Sequence, residues 1–354
     1  MSERILIFGG GIIGLSLAVE MAECGNKVRV LERGRVMQEA SWAAAGMLAA
    51  LDPENPLQLQ ELSKKSIALW PRFRERLEEL SGRAVPFRTS ITLQGPRARM
   101  RLEKREGRIL SAAEAAAICP GLTAEAREEY LLLEEKSLDP RDICAALPRA
   151  AVAAGVEIVE GCDVIRLLSG NNGVETATSQ GSFEAEKAVV TTGAWAAELM
   201  PPDCERLGLE PRKGHIVTVR LPAGVALPVV IRTPEIYLVP RGDGRVVIGA
   251  TVERDGFSKA VNHAVISRLI QDAAMIFPAI GEAEIVESWV GLRPGTADGL
   301  PVLGRIGENL FVAAGHYRNG ILLSPATAKV MRGLLLGEPA GMRLEDFSPE
   351  RGGC

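Results

Sequence analysis

An α/β fold is predicted for this chain, with a parallel sheet assembled from separated stretches joined to a second unit of helices and a mixed, largely antiparallel sheet. Three observations carry that prediction. The chain opens on strand, glycine turn, helix and strand; the same rhythm resumes near residue 140 and near residue 290; and short strand patterns broken by turn residues fill the stretches between.

Residues 4–8 are an apolar run that stops at Gly9, apolar residues recur at helical spacing over 12–24, and a second run covers 28–31. A βαβ unit of this kind pairs its strands in parallel through a right-handed crossover. Over 85–133 short strands are expected at 91–94 and 130–133, around a charged helical stretch at 97–117. Asp139-Pro140 reads as a cap and first turn for a helix to residue 154, and Gly155 then precedes a strand at 156–159. Another strand, 188–192, stops at Gly193. Pro201, Pro202 and Pro211 mark the passage into strand-rich sequence at 215–220, 236–239 and 246–250, which reads as antiparallel sheet. A helix at 262–277, strands at 285–289 and 310–313, and a helix from about 321 to 336 complete the order, with Pro325 expected in the last helix's first turn. Residues 1–85, 140–205 and 290–354 are accordingly assigned to the first domain, and 86–139 and 206–289 to the second.

A length of 354 residues exceeds twice the roughly 150-residue prior for one domain, which fits two domains. Hydrophobic residues at 47% and charged residues at 24% are those of a globular chain and exclude a disordered or collagen-like one. With 41 Lys and Arg against 45 Asp and Glu, the net charge of −4 argues against a nucleic-acid partner. No apolar run approaches the roughly 20 residues of a bilayer span, and the N-terminus enters its first strand without an export-type apolar segment. The six cysteines, at 24, 119, 144, 162, 204 and 354, form no C-x-x-C, so no metal site is expected, and reduced thiols in a cytoplasmic protein are.

The turn after the first strand reads Gly9-Gly10-Gly11-Ile12-Ile13-Gly14, the G-x-G-x-x-G pattern between a strand and a helix. Gly9 permits the tight turn, Gly11 lets a pyrophosphate approach the backbone, Gly14 lets helix and strand pack closely, and the helix N-terminus favours anions. Glu32, 18 residues beyond Gly14 at the end of the second strand, can accept both ribose hydroxyls of an adenosine. This is a Rossmann-like fingerprint, and NAD and FAD fit it equally. The run Ser41-Trp42-Ala43-Ala44-Ala45-Gly46-Met47-Leu48 suits a backbone lying against a large flat ring, but taken by itself it reads more readily as a buried alanine-rich helix turn. Arg293, placed between a strand and Pro294, offers a bidentate carboxylate receptor or a surface ion pair. Tyr237, in an apolar strand, reads as a core tyrosine with a bonded hydroxyl or as a ligand contact.

Three blocks near the C-terminus, GLRPGT at 291–296, DGLPVLG at 298–304 and AAGHYRNGILLSP at 313–325, stand in order behind the glycine loop and the AAAGML run at 43–48. With them the chain resembles the FAD-dependent amine oxidases of the D-amino-acid oxidase family, above all the glycine-oxidising branch of thiamine synthesis. The resemblance covers nearly the whole chain. It implies that Gly9, Gly11, Ile12, Ile13 and Gly14 form the phosphate loop of FAD, with Glu32 and Arg33 at the adenosine ribose. Ser41, Ala45, Gly46 and Met47 are implied along the pyrophosphate and flavin, Val164 at the adenine through its backbone, and Gly193 on the cofactor side. His316, Tyr317, Arg318, Asn319, Gly320, Ile321 and Leu322 would wrap the pyrimidine end of the flavin. Arg293 is implied as the substrate carboxylate anchor, Tyr237 as its hydroxyl partner and Arg318 as a second substrate-side arginine, with no protein acid or base. No cysteine occurs over 316–320, where some relatives tether their flavin, so noncovalent FAD is expected.

The implied reaction is oxidation of glycine, sarcosine or small D-amino acids by hydride transfer to flavin N5. The imine gives glyoxylate and ammonia or supplies dehydroglycine for thiazole synthesis, and molecular oxygen is reduced to hydrogen peroxide. A broader D-amino-acid oxidase, a dehydrogenase with another acceptor, or a non-catalytic flavin module are the alternatives. Oligomerisation is left open.

Overall fold

The computed structural model describes residues 2–95, 107–123 and 128–353. Its six-stranded sheet has five parallel strands in the order Glu157–Glu160, Lys27–Glu32, Arg4–Phe8, Lys187–Val190, Leu310–Ala314, and an antiparallel edge strand, Val302–Arg305. The strands come from three distant stretches of sequence. Helices Ile12–Glu23, Leu59–Ser81, Pro140–Ala153 and Gly320–Leu336 pack on one face over a continuous apolar core that includes Leu15, Trp70, Leu147 and Leu323. Such two-sided burial gives parallel strands their unbroken apolar runs. On the other face lies an antiparallel meander, Val164–Gly170, Gly173–Thr178 and Gly181–Ala185, which closes a smaller core around Phe8, Val174 and Val190.

The second sheet has eight strands, ordered Glu284–Gly295, Glu210–Arg220, Arg245–Gly249, Tyr237–Pro240, Val230–Arg232, Thr92–Gln94, Glu129–Leu133, Arg108–Ser111. All its pairings are antiparallel except that of Thr92–Gln94 with Val230–Arg232. The fold is therefore α/β with a mixed, largely antiparallel second sheet. Helix His263–Ile276, capped by the Asn262 side chain, covers one face of it. The opposite face, with Ile216, Val230, Val247 and Trp289, meets Ala43 and Ala45 from the first unit.

Four local expectations need correction. The helical stretch expected at 97–117 is a strand at Arg108–Ser111 followed by a short helix, Ala112–Ile118; the Ser111–Glu114 capping box starts the helix there, and 97–106 lie outside the described residues. The 23-residue helix Leu59–Ser81 has no counterpart among the sequence expectations, because Pro71 and many charges obscure its apolar stripe. The last helix begins at Gly320, so Pro325 is interior. The carbonyl its missing N–H would have bonded, that of Ile321, instead accepts from the Ser324 hydroxyl at 3.0 Å. Finally, Cys204 is disulfide-bonded, against the expectation of six reduced thiols. Sequence spacing does not report the tertiary packing that brought the 3-10 turn Pro349–Gly352 against Pro202–Leu207. Among the described residues no helix is long and apolar enough to cross a membrane.

Candidate active site

A cavity of about 300 Å³ lies between the two sheets, at the carboxyl ends of the strands Arg4–Phe8 and Lys27–Glu32. In α/β sheets that crevice is where ligands bind. The glycine turn forms part of its wall. A Cβ on Gly14 would collide with the Gly9 carbonyl, so close contact of helix and turn depends on a bare backbone there. Helix Ile12–Glu23 has no side-chain cap of its own, and the Ile12 N–H is met by Ser41 Oγ at 2.9 Å. The Glu32 carboxylate accepts the Gly10 and Gly34 N–H groups, each at 2.8 Å, which fixes its orientation and leaves lone pairs for further donors.

The small-residue run is a four-residue helix, Ala40–Ala43, followed by extended chain. It is bound along its length: Leu138 N–H to the Gly46 carbonyl at 3.0 Å, Leu48 N–H to the Lys136 carbonyl at 2.9 Å, and buried Arg241 to the carbonyls of Ala45 and Leu138 at 2.8 and 3.1 Å. Gly46 has φ +84°, and a Cβ there would strike the Leu138 carbonyl, so only glycine fits. Trp289 Nε1 donates to the Ala43 carbonyl at 3.1 Å and Trp42 meets the Trp289 ring edge-on, which joins this run to the strand that carries Arg293.

At the substrate sheet, two glycines inside adjacent strands make room for two side chains. The Tyr237 ring lies across Gly249, where a Cβ would be 2.5 Å from the hydroxyl. The Arg293 guanidinium lies on Gly214. Among the described residues the Tyr237 hydroxyl has no hydrogen-bond partner and Arg293 no carboxylate, its one bond being Nη1 to the Thr251 carbonyl at 3.1 Å. Arg293 stands inside the strand Glu284–Gly295 rather than after it, because pairing with Glu210–Arg220 continues through Arg293 and Pro294; the strand runs unbroken across residue 290.

The helix Gly320–Leu336 opens on the cavity with its first-turn amides uncapped, since Asn319 gives its side-chain N–H to Asn55 at 2.9 Å instead. A helix N-terminus here favours negative charge on a group in the cavity. His316 is fully buried beside it, with Nε2 3.1 Å from Thr327 Oγ1. Desolvation pushes it down to about 3, so it is neutral and adds no charge.

Of the residues singled out from sequence, Gly9, Gly11, Ile12, Ile13, Glu32, Arg33, Ser41, Ala45, Gly46, Met47, Val164, Gly193, Tyr237, Arg293 and 316–321 share this one cavity. Gly14 and Leu322 stand behind its wall. Leu322 is 1% exposed, and its carbonyl accepts from Ser66 and Trp70 at 2.6 and 2.9 Å. Arg318 is on the wall, but its guanidinium is given to Glu54 at 2.7 Å and Asp52 at 3.7 Å, so its charge is already compensated. Sequence reasoning missed Trp195, which carries Arg33 over its ring at 4.8 Å, and the brace Arg241. Nothing local marks Arg241, whereas Gly214 and Gly249, glycines inside strand patterns, are a legible sign of close approach.

The sequence profile of the family described as FAD dependent oxidoreductase matches residues 4–334. The chain belongs to the FAD dependent oxidoreductase family. Within that family it is 34% identical to a glycine oxidase of Geobacillus kaustophilus, over 98% of this chain and 96% of the relative. The crystal structure of glycine oxidase from Geobacillus kaustophilus superposes with a TM-score of 0.90, covering 99% of each chain. A bifunctional ThiO/ThiG protein of Synechocystis is 36% identical over 99% of this chain, which spans only 54% of that relative's length.

FAD is the cofactor of this family, and the cavity fits it: a glycine turn crowded out of any side chain, a helix N-terminus with no cap from its own N-cap residue, a pre-oriented Glu32 and an uncapped helix at Gly320. Replacing Glu32 by Lys should weaken FAD retention roughly tenfold or more, because a cation cannot accept hydroxyl or amide donors; FAD titration of the apoprotein checks this. Flavin should also leave the polypeptide on acid denaturation, because no cysteine occurs over 316–320 and the cysteine that does line the cavity, Cys162, stands beside Val164, where the adenine is expected; colour retained in the washed precipitate would disprove noncovalent binding.

Proposed function

We propose that this chain is a glycine oxidase, taking glycine and related small amines such as sarcosine and small D-amino acids to the imine, and thence to glyoxylate and ammonia, with release of hydrogen peroxide. The observation that carries the reading is Arg293, which lines the cavity, has no carboxylate among the described residues, and shares that cavity with Tyr237, whose hydroxyl is equally without a hydrogen-bond partner among them. When bound, FAD supplies the two-electron acceptor that oxygen regenerates. Arg293 and Tyr237 hold the substrate carboxylate, and so fix the angle at which its α-carbon meets the cofactor. The apolar contact of Ala43, Ala45 and Ile216 keeps water from the reacting carbon. No side chain is assigned as acid or base, and Arg318 is left to its carboxylates.

In this reading, residues 1–85, 140–205 and 290–354 form the cofactor unit and 86–139 and 206–289 the substrate unit. On the same reading the protein acts in the cytoplasm and supplies dehydroglycine to thiazole synthesis; a bifunctional ThiO/ThiG protein is among its relatives. A panel of glycine, sarcosine, D-alanine and D-proline, read by peroxide release, tests the proposal. Glycine or sarcosine should turn over fastest, and glycolate should compete with glycine because it carries the same carboxylate. A panel in which D-proline far exceeds glycine would overturn the assignment.

A further inference from the structure

Arg293 is held by a peptide that is itself clamped. The strand Arg245–Gly249 leaves the sheet at Gly249, and the chain returns to the strand Glu210–Arg220 at Glu253, where Lys213 and Glu253 exchange N–H to carbonyl bonds of 2.9 Å in both directions. The loop between carries Thr251, whose carbonyl receives Arg293 Nη1 at 3.1 Å. Its hydroxyl accepts the His215 N–H at 3.0 Å and donates to Glu253 Oε1 at 2.5 Å.

The same Glu253 oxygen is 2.9 Å from His215 Nδ1. His215 is wholly buried, and its Nε2 accepts the backbone N–H of Asn262 at 2.9 Å. A nitrogen that accepts an N–H carries no hydrogen, so the ring hydrogen is on Nδ1 and is donated to Glu253. The hydrogen bonds of the His215 ring and the Thr251 hydroxyl thus run in one chain from the helix cap inward. On the other side of Arg293 is Gly214, where a Cβ would come within 2.7 Å of Nη2 and closer still to Nη1. The guanidinium is caught between a bare backbone and one oriented carbonyl.

We propose that His215 and Glu253 are positioning residues for substrate binding: with Thr251 and the side-chain-free Gly214 they set the plane of the Arg293 fork. The proposal rests on Arg293 being the carboxylate anchor. A planar fork binds a carboxylate through two parallel bonds only when its plane is fixed, so loosening the clamp weakens carboxylate binding without removing a charge from the cavity.

The test is titration of the flavin absorbance of holoenzyme with glycolate, in wild type, Glu253→Gln, Gly214→Ala, Arg293→Ala and the Glu253→Gln, Arg293→Ala double variant. Glu253→Gln should raise the glycolate Kd roughly two- to tenfold, the effect of one ordinary hydrogen bond, with FAD content and the unliganded spectrum unchanged. In the Arg293→Ala background the same change should have no further effect, because its route to the ligand is gone. An equal weakening in both backgrounds, or none in either, overturns the positioning role. Should Glu253→Gln fail to fold, Gly214→Ala decides: unchanged glycolate affinity in folded holoenzyme overturns the proposal. If Arg293→Ala alone leaves glycolate binding intact, the anchor reading falls, and the proposal with it.

Discussion

Arg293→Ala is expected to lower kcat/KM for glycine by roughly 30-fold to 1,000-fold, the loss of about 2 to 4 kcal/mol of charge-assisted binding in a partly dry pocket. Folding and FAD content should change little. The side chain makes a single hydrogen bond, to the Thr251 carbonyl, and no ion pair among the described residues, so its removal leaves no buried charge behind. Arg293→Lys should recover activity only partly, since a point charge at the same site lacks the fork that fixes the substrate's angle. Steady-state glycine oxidation, set beside melting temperature and FAD content, is the measurement. An alanine variant that keeps its flavin and oxidises glycine within about threefold of wild type would remove Arg293 from the substrate site.

The second large effect is on stability, at Arg232. This arginine, in the strand Val230–Arg232, is 1% exposed and lies 3.0 Å from Glu135 and 3.7 Å from Asp52, with Nε also donating to the Gln94 side-chain oxygen. Arg232→Ala strands the buried Glu135 carboxylate, and a broken buried pair costs about 3–5 kcal/mol. Glu135 also accepts the Leu51 N–H at 2.8 Å, so the 51–55 loop that holds Arg318 should loosen with it. Replacing both partners by apolar residues, Arg232→Met with Glu135→Leu, should be far less harmful than the single change. Denaturant unfolding of the holo-proteins distinguishes the two. A single variant within about 1 kcal/mol of wild type would show that the pair contributes no more than a surface bridge.

The parts of the fold that sequence makes legible are those whose signal is local. The strand at Arg4–Phe8, the glycine turn, the Asp139 cap and the helix after Asn319 are each written in consecutive residues, and each stands within a residue or two of its expected place. The helix Leu59–Ser81 and the Val164–Gly170 meander escaped because their apolar positions are interrupted by Pro71 or exposed on one face. In the cavity, Glu32 could be named from its place at the end of the second strand, whereas Arg293 stood open between a carboxylate receptor and a surface ion pair until the family resemblance assigned it. That Arg318 is spoken for by Glu54 and Asp52 depends on a contact between residues 264 positions apart, which no local pattern encodes.

The brace formed by Arg241 bears on how the protein is made. Its guanidinium bonds the Ala45 carbonyl across 196 residues. At a synthesis rate of about 5–20 residues per second, the strip that flanks the cavity emerges roughly 10–40 s before the side chain that secures it. Gly9, Ser41 and Gly46 are all on the early side of that delay, while Arg241, Arg293 and the helix at Gly320 are on the late side. The nascent chain therefore displays a phosphate-binding turn well before it can enclose a cofactor, and FAD capture is expected to follow synthesis of the helix at Gly320 rather than the appearance of the glycine motif.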